Sequence, residues 1–321
     1  MIKTILVPLD GSEVAEQGLA AACRIARETG ATLLLVRSVL YIAAEGAARE
    51  EECRELREAR AYLGMVARDL ERQGLVVATE VLPVEPVRAI LFAAVAHDAD
   101  LISICTHGRS GFQHALLGSV AEAVLRQSTT PILLTRAGAH VEPRATAPYG
   151  RILVPLDGTA FAETALSYLR VQEIGRAASL LLLRVVSSPS QPFMPDVTGY
   201  ATQGAFEAAE HETQDRRLEG EAYLQALGDT RLTDGTWHPR VVVGDAGEAI
   251  LDAAGREGVD LIALATHGRH GWDRLLHGSV TRQLLHRATV PMLILPGAAD
   301  PAGAGLGDVA VQAVPAPTRA G

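Results

Sequence analysis

Lysine is almost absent from this 321-residue sequence. Lys3 is the single lysine, although the chain carries 29 lysines and arginines together. A phosphate-binding P-loop requires glycines followed by Lys and then Ser or Thr, and no glycine precedes Lys3. The sequence therefore excludes P-loop nucleotide chemistry and the protein kinases, which need a strand lysine. It also argues against a Schiff base on an internal lysine.

Cysteine, long apolar runs and excess positive charge are also lacking. Cys23, Cys53 and Cys105 are widely spaced and form no C-x-x-C pair, so we expect free thiols rather than a zinc or redox site. No apolar run approaches the roughly 20 residues that cross a bilayer, and no leader pattern opens the sequence. The net charge of −9 argues against a broad nucleic-acid surface. We expect a cytoplasmic protein without membrane or nucleic-acid partners.

The chain repeats itself. Ile5–Gly11 returns unchanged in sequence at Ile152–Gly158, and Thr106–Arg109 returns at Thr266–Arg269. A period of about 150 residues indicates two whole domains rather than a solenoid. The predicted organisation is domain 1 at 1–136, a linker at 137–149, domain 2 at 150–296, and a flexible tail at 297–321.

Within each copy, apolar strand patterns alternate with helical patterns. Such alternation predicts an α/β fold with two tandem Rossmann-like domains, each an open five-stranded parallel sheet with helices on both faces. In the first copy the predicted strands are Ile2–Pro8, Thr32–Val39, Leu75–Leu82, Leu101–Cys105 and Pro131–Thr135. The predicted helices are Glu13–Thr29, Arg49–Gln73, Val87–His97 and Ser119–Gln127.

Two loops and one helix start carry the chemistry of the first copy. Asp10 follows the first strand and Thr106–Gly108 follows the fourth. If these strands are neighbours, both loops lie at the carboxyl edge of the sheet, where such sheets bind ligands. Ser119 and Glu122 match a capping box, which predicts a helix beginning at Ser119. A glycine loop leading into a helix N-terminus suits phosphate, and a carboxylate across the crevice suits a ribose hydroxyl.

This pattern resembles the universal stress protein family, here as a tandem two-domain type. ATP-binding members carry a glycine, two residues, a second glycine, nine residues, and then Gly-Ser or Gly-Thr. Residues 105–119 and 265–279 keep the second glycine, the spacing and the Gly-Ser pair. Both copies replace the first glycine, one by Cys105 and the other by Ala265.

The resemblance implies a set of nucleotide-binding residues in each copy. The aspartates would face the ribose, the prolines would shape the base pocket, and the second strand would offer backbone groups to adenine. The glycine motif and the helix start would hold the phosphates. In the first copy the set is Pro8, Asp10, Ser38, Cys105, His107, Gly108, Gly118, Ser119 and Val120. In the second copy it is Pro155, Asp157, Val185, Ala265, His267, Gly268, Gly278, Ser279 and Val280.

The function implied by the resemblance is a stress-response regulatory protein that binds ATP or a related adenine nucleotide in one or both domains. Mg²⁺ would accompany the phosphates. We find no dedicated base or metal-holding carboxylate pair, so we expect a weak ATPase at most. The alternative is an interaction module that binds no nucleotide, because replacement of the first motif glycine has disabled its sites. An enzyme acting at the α-phosphate would need activating residues that the sequence does not display.

Each of these residues also has a structural interpretation. Asp10 and Asp157 could be helix caps or turn formers, and Ser119 and Ser279 could be helix caps alone. The two motif histidines could act as bases, but no acid completes a triad. We expect these histidines to orient the loop or to contact phosphate, and we expect no metal site.

The two copies differ at the start of the last helix, where Glu122 is matched by Arg282. A cation near a helix N-terminus costs roughly 0.3–1 kcal/mol, and a bound anion would offset that cost. Arg282, together with Ala265 in place of Cys105, favours the second copy as the nucleotide site.

The fifth strands, Pro131–Thr135 and Pro291–Leu295, are apolar edges. Because an unpaired edge strand promotes aggregation, we expect these strands to be covered. The resemblance implies that they pair, domain against domain, as they do between chains in single-domain members. We also expect the whole chain to form a homodimer.

Overall fold

Ten strands and eight helices alternate along the part of the chain that the structure describes. The computed structural model describes residues 1–40, 47–106, 118–137, 147–187, 203–232, 235–266 and 279–296. Most of the predicted linker and the whole predicted tail lie outside these ranges. Domain 1 contains β1 (Thr4–Pro8), α1 (Glu13–Thr29), β2 (Thr32–Ser38), α2 (Ala47–Arg72), β3 (Val77–Leu82), α3 (Pro86–Ala96), β4 (Leu101–Thr106), α4 (Ser119–Gln127) and β5 (Ile132–Arg136). Domain 2 contains β6 (Arg151–Pro155), α5 (Thr164–Val171), β7 (Ser179–Val186), α6 (Gln203–Arg231), β8 (Trp237–Val243), α7 (Ala246–Arg256), β9 (Leu261–Thr266), α8 (Ser279–Arg287) and β10 (Met292–Pro296).

All ten strands belong to one sheet, in the order β3-β2-β1-β4-β5-β10-β9-β6-β7-β8. Each half of the sheet is a five-stranded parallel sheet, which confirms the predicted fold class. The predicted pairing of the fifth strands is also confirmed, because β5 and β10 pair antiparallel, with Met292 opposite Leu134 and Ile294 opposite Ile132. Each domain thereby covers the apolar edge of the other.

The central strands of the sheet are buried on both faces, whereas the edge strands β3 and β8 are partly exposed. Successive residues of β1 point to opposite sides, so Ile5 and Val7 join one apolar core while Leu6 joins the other. Helices α1, α2, α5 and α6 cover the first face, and α3, α4, α7 and α8 cover the second. Continuous apolar strands are the pattern expected of a parallel sheet covered on both faces.

Helix α1 shows how local signals set the element bounds. Its N-cap Ser12 accepts a hydrogen bond from the Ala15 N–H at 3.2 Å. Its C-cap Gly30 has a φ of 74°, and the Gly30 N–H donates to Ala26 at 2.9 Å. Glycine adopts that left-handed conformation without a steric penalty, so the helix ends there as predicted. None of the helices in the described ranges is long and apolar enough to cross a membrane.

Arg24 of α1 ties domain 1 to domain 2. Its guanidinium donates to the carbonyls of Ala147 and Pro148, each at 3.0 Å, and to Asp260 at 2.7 Å. It also lies 3.9 Å from the ring centroid of Tyr149. Only 9% of Arg24 and 1% of Tyr149 is exposed. The end of the predicted linker is therefore held in the contact between the domains.

Candidate functional site

The two loops that the sequence singled out meet at the carboxyl edge of domain 1. β1 and β4 are parallel neighbours, with Ile5 opposite Leu101 and Leu6 opposite Ile102. From β1 the strand order runs to β2 and β3 on one side, and to β4 and β5 on the other. The gap beyond β1 and β4 is thus the switch point of the strand order, where open α/β sheets bind ligands.

A cavity of about 260 Å³ occupies this switch point. Its size is close to the lower end of the range for small-molecule sites, roughly 300–1,000 Å³. Its wall comes from the carboxyl-end parts of β1, β2 and β4, from the starts of α3 and α4, and from Ala15 in the first turn of α1. Seven residues of the predicted first-copy set line it together: Pro8, Asp10, Ser38, Cys105, Gly118, Ser119 and Val120. The remaining two, His107 and Gly108, lie outside the described residues.

The N-terminus of α4 opens onto this cavity without a capping side chain. The predicted capping box is wrong: Gly118, in an extended conformation, is the N-cap, and no side chain of the described residues bonds there. Glu122 is then one position too far along the helix, and its carboxylate instead accepts from Arg126 at 3.0 Å. The N–H groups of Ser119, Val120 and Ala121 have no acceptor within the helix. They can therefore bind an anion.

Two other helices that begin at this edge of domain 1, α1 and α3, have side-chain caps, and the residue before α2 lies outside the described residues. Ser12 caps α1, and Glu85 caps α3 by accepting from the Val87 and Arg88 N–H groups, each at 3.2 Å. Unlike these two helices, α4 can receive an external negative charge at its start.

Asp10 and Asp157 are turn formers. Asp10 Oδ1 accepts from the Ser12 N–H at 2.9 Å, and Asp157 Oδ1 accepts from the Thr159 N–H at the same distance. Neither aspartate is a helix N-cap, because Ser12 has that place in α1 and Glu163 has it in α5. The turn holds each aspartate at the end of the first strand of its domain.

Cys105 contacts α1 behind the sheet. Ile104 belongs to the core on the cavity side, and the neighbouring Cys105 side chain points to the opposite face. A Cβ built on Gly18 of α1 would stand 3.4 Å from Cys105 Cβ. Burial raises the pKa of the Cys105 thiol to about 12, so the group is neutral and unreactive at physiological pH.

At the same contact in domain 2, the helix residue is larger and the strand residue is smaller than in domain 1. Ala165 of α5 stands where domain 1 has Gly18, and Ala265 of β9 stands where it has Cys105. Ala165 is fully buried, and Ala265 packs against the same core. Each domain thus pairs a helix residue with a strand residue of complementary size. The first motif position in these domains is a helix-packing position.

The structure describes only part of the nucleotide-binding set that was predicted for the second copy. Pro155 ends β6, Val185 lies in β7, and Ser279 and Val280 open α8. Val185 and Val280 pack against the core of the second face. His267, Gly268 and Gly278 lie outside the described residues. Near the domain contact, burial and the positive charges of Arg282 and Arg136 lower the pKa of His286.

Sequence reasoning missed one wall of the cavity. Pro86, Ala89 and Ile90 of α3 line it, and no residue of α3 is in the predicted set. Their spacing places them on one face of the helix. Apolar periodicity marks that face as buried, but it does not distinguish packed core from a cavity wall. Ser38 was identified, and its hydroxyl donates to the Val84 carbonyl just before α3.

Comparisons with known proteins agree on one family. The sequence profile of the universal stress protein family matches residues 1–136 and 148–296. The chain is similar to the universal stress protein Rv1996 of Mycobacterium tuberculosis, with 24% identity over 319 residues, 93% of this chain and 96% of that protein. It is also 25% identical to Rv2005c of the same organism over 202 residues, 62% of this chain and only 63% of that protein's length.

Solved structures show the same architecture. A universal stress protein from Archaeoglobus fulgidus superposes with a TM-score of 0.65, covering 92% of this chain and 98% of that one. The sequence identity is 20%, so this likeness concerns the fold.

Proposed function

The chain belongs to the universal stress protein family, and from this premise we propose that it binds ATP or a related adenine nucleotide in one or both domains. Hydrolysis would be slow or absent, with Mg²⁺ accompanying the phosphates. Its biological role would be regulatory, in stress adaptation.

The observation that carries this proposal is the uncapped start of α4 at the rim of the domain 1 cavity. Three backbone N–H groups and the positive end of the helix dipole converge there, in a site without a lysine. The opposite wall is apolar, with Val36, Ala89 and Ile90 all buried. A nucleotide has the matching chemistry, because its base is largely apolar and its phosphates are anionic.

This distribution of groups predicts how a nucleotide would be oriented in the cavity. The base would lie between the end of β2 and α3, beside Ser38. The ribose would lie near Asp10, whose carboxylate accepts hydrogen bonds. The phosphates would lie on the N–H groups of Ser119 and Val120. His107 and Gly108 would complete the phosphate side.

The two domains are also expected to differ in their affinity for nucleotide. In domain 1 the acid near the α4 start, Glu122, is neutralised by Arg126. In domain 2 the matching position is Arg282, which leaves positive charge for an anion. We therefore expect domain 2 to bind at least as tightly as domain 1.

Nucleotide content tests the proposal directly. The protein is purified without added nucleotide and denatured, and its supernatant is compared with adenine-nucleotide standards by ion-exchange chromatography. One or two ATP or ADP per chain is the expected result. No nucleotide, followed by no calorimetric binding at millimolar ATP and Mg²⁺, would refute it and leave the interaction module.

Cys105→Gly restores the family's motif glycine. Because the Cys105 side chain packs beside Gly18 of α1, we expect the ATP affinity to stay within about twofold. We expect the free energy of unfolding to fall by about 1–2 kcal/mol, since a buried side chain is lost and glycine is flexible. Calorimetric titration and urea denaturation measure the two quantities. A tenfold gain in affinity would show instead that Cys105 obstructs the phosphates.

A further inference from the structure

An arginine lies behind the Asp-Gly turn of each domain. Val36 and Ser38 of β2 line the cavity, so Arg37 between them points to the opposite face of the sheet. There its side chain approaches the turn from the rear. A Cβ built on Gly11 would stand only 3.2 Å from Arg37 Nη1.

The guanidinium is held between the turn and a tyrosine. Arg37 lies 5.0 Å from the ring centroid of Tyr62 on α2. The Tyr62 hydroxyl in turn donates to Glu16 of α1 at 2.8 Å. Two helices therefore fix the arginine on which the turn rests.

Domain 2 repeats the arrangement. Arg184 lies 5.4 Å from the ring centroid of Tyr223, whose hydroxyl donates to Glu163 at 3.0 Å. A Cβ on Gly158 would stand 2.5 Å from Arg184 Nη1. Arg184 follows Arg37 by the same number of residues that separates the two Asp-Gly turns, and Glu163 follows Glu16 by that number as well. Their recurrence indicates one function performed twice.

The electrostatic cost of this arrangement argues against a purely structural role. Arg184 Nη1 is buried and has no hydrogen-bond partner among the described residues. Leaving a charged donor unpaired is unfavourable, and an apolar side chain would fill the same space. The glycine beside each guanidinium directly follows the aspartate of the turn, so the arginine lies where it can hold that aspartate in place.

The turn itself needs this support. Gly11 and Gly158 have φ values of 89° and 88°, the left-handed region that only glycine adopts easily. Because glycine is also the most flexible residue, a turn built on it keeps one conformation only if its surroundings hold it. A planar guanidinium against the glycine provides a rigid surface at that point.

We propose that Arg37 and Arg184 are positioning residues, which hold the Asp10–Gly11 and Asp157–Gly158 turns so that each carboxylate meets the ribose hydroxyls of a bound adenine nucleotide. This inference rests on the proposed function. It assigns the arginines to ribose selectivity and not to binding of the base or the phosphates.

The test compares ATP with 2′,3′-dideoxy-ATP, which keeps the base and triphosphate but lacks both ribose hydroxyls. In the full-length protein, Arg37→Met/Arg184→Met should weaken ATP binding about tenfold, the typical value of a hydrogen bond to a charged group. Its affinity for the dideoxy nucleotide should stay within about twofold of the unmodified protein. Arg37→Lys/Arg184→Lys keeps the charge and should recover part of the ATP affinity.

Arg72→Met/Arg256→Met is the matched control. It also removes one positive charge from each domain, but from exposed helix positions, and both affinities should remain unchanged. An equal loss for both nucleotides in the Arg37 and Arg184 variant, or no loss, would overturn the inference. Failure of the unmodified protein to bind either nucleotide would refute the proposed function itself.

Discussion

Ser119→Glu is expected to stabilise the protein and to weaken ATP binding in domain 1 by at least about a hundredfold. Ser119 is exposed in the first turn of α4. A carboxylate there interacts favourably with the helix dipole and should add about 0.3–1 kcal/mol to the free energy of unfolding. The same carboxylate occupies the N–H groups proposed for phosphate and repels a triphosphate. Stability and affinity should therefore change in opposite directions.

Ser119→Gln, of the same shape without the charge, is the matched control and should lose less than about tenfold. The comparison of ATP with adenosine adds a second control, since adenosine has no phosphate and should bind both variants alike. Urea denaturation and calorimetric titration give the two quantities. If both domains bind, the stoichiometry for ATP should fall by one site. An unchanged ATP affinity and stoichiometry in Ser119→Glu would contradict the assignment of phosphate to α4.

Arg24→Met is expected to cost about 3 kcal/mol of the free energy of unfolding, a typical loss when one partner of a buried ion pair is removed. Methionine keeps much of the aliphatic volume, but it leaves two carbonyls and the Asp260 carboxylate without the guanidinium. The measurement is urea denaturation of the full-length protein. A loss below about 0.5 kcal/mol would show that Arg24 does not stabilise the contact between the domains.

A double-mutant cycle isolates the ion pair. Arg24→Met and Asp260→Asn should be strongly non-additive, because the two side chains are in contact at 2.7 Å. Asp100→Asn is the control, since Asp100 accepts from the Lys3 and Thr4 N–H groups as Asp260 accepts from Gly150 and Arg151. Within the described ranges Asp100 forms no ion pair with an arginine, so its loss should add to that of Arg24.

The pH dependence of the Arg24→Met deficit has a defined sign. Burial raises the pKa of Glu28, and the charge of Arg24 opposes that shift. Without Arg24 the pKa of Glu28 rises further, so the folded state holds its proton to higher pH than the unfolded chain. Such a group lowers stability as the pH rises through this window. The deficit of the variant should therefore shrink as the pH is lowered from neutrality into the carboxyl range.

Much of the fold could be predicted because its signals are local. The central strands β1 and β5 are largely apolar runs, and α1 ends at Gly30 because glycine adopts the left-handed conformation there. The start of α4 was also predicted, although its cap was not. The choice between Gly118 and Ser119 as N-cap depends on backbone dihedral angles, and both residue types are common at that position.

The long-range contacts could not be predicted from one sequence. Tyr149 is in a segment without apolar periodicity, yet Arg24, 125 residues earlier, buries it. The arginine behind each Asp-Gly turn was missed because a charged residue inside an apolar strand does not indicate what it contacts. Comparison of the two copies could have identified this arginine, since Arg37 and Glu16 recur at Arg184 and Glu163. Strand alternation predicts the face of the sheet to which the Cys105 side chain points. Its packing beside Gly18 of α1 is a contact between two distant parts of the sequence, and this could not be predicted.

The central claim is that adenine nucleotide binds at the switch point of the sheet, and a crystal structure of the protein with saturating ATP and Mg²⁺ tests it most directly. We expect adenine between the end of β2 and α3, the ribose beside Asp10, and the phosphates on the N–H groups of Ser119 and Val120. An empty cavity in both domains under these conditions, or nucleotide bound elsewhere on the surface, would contradict it.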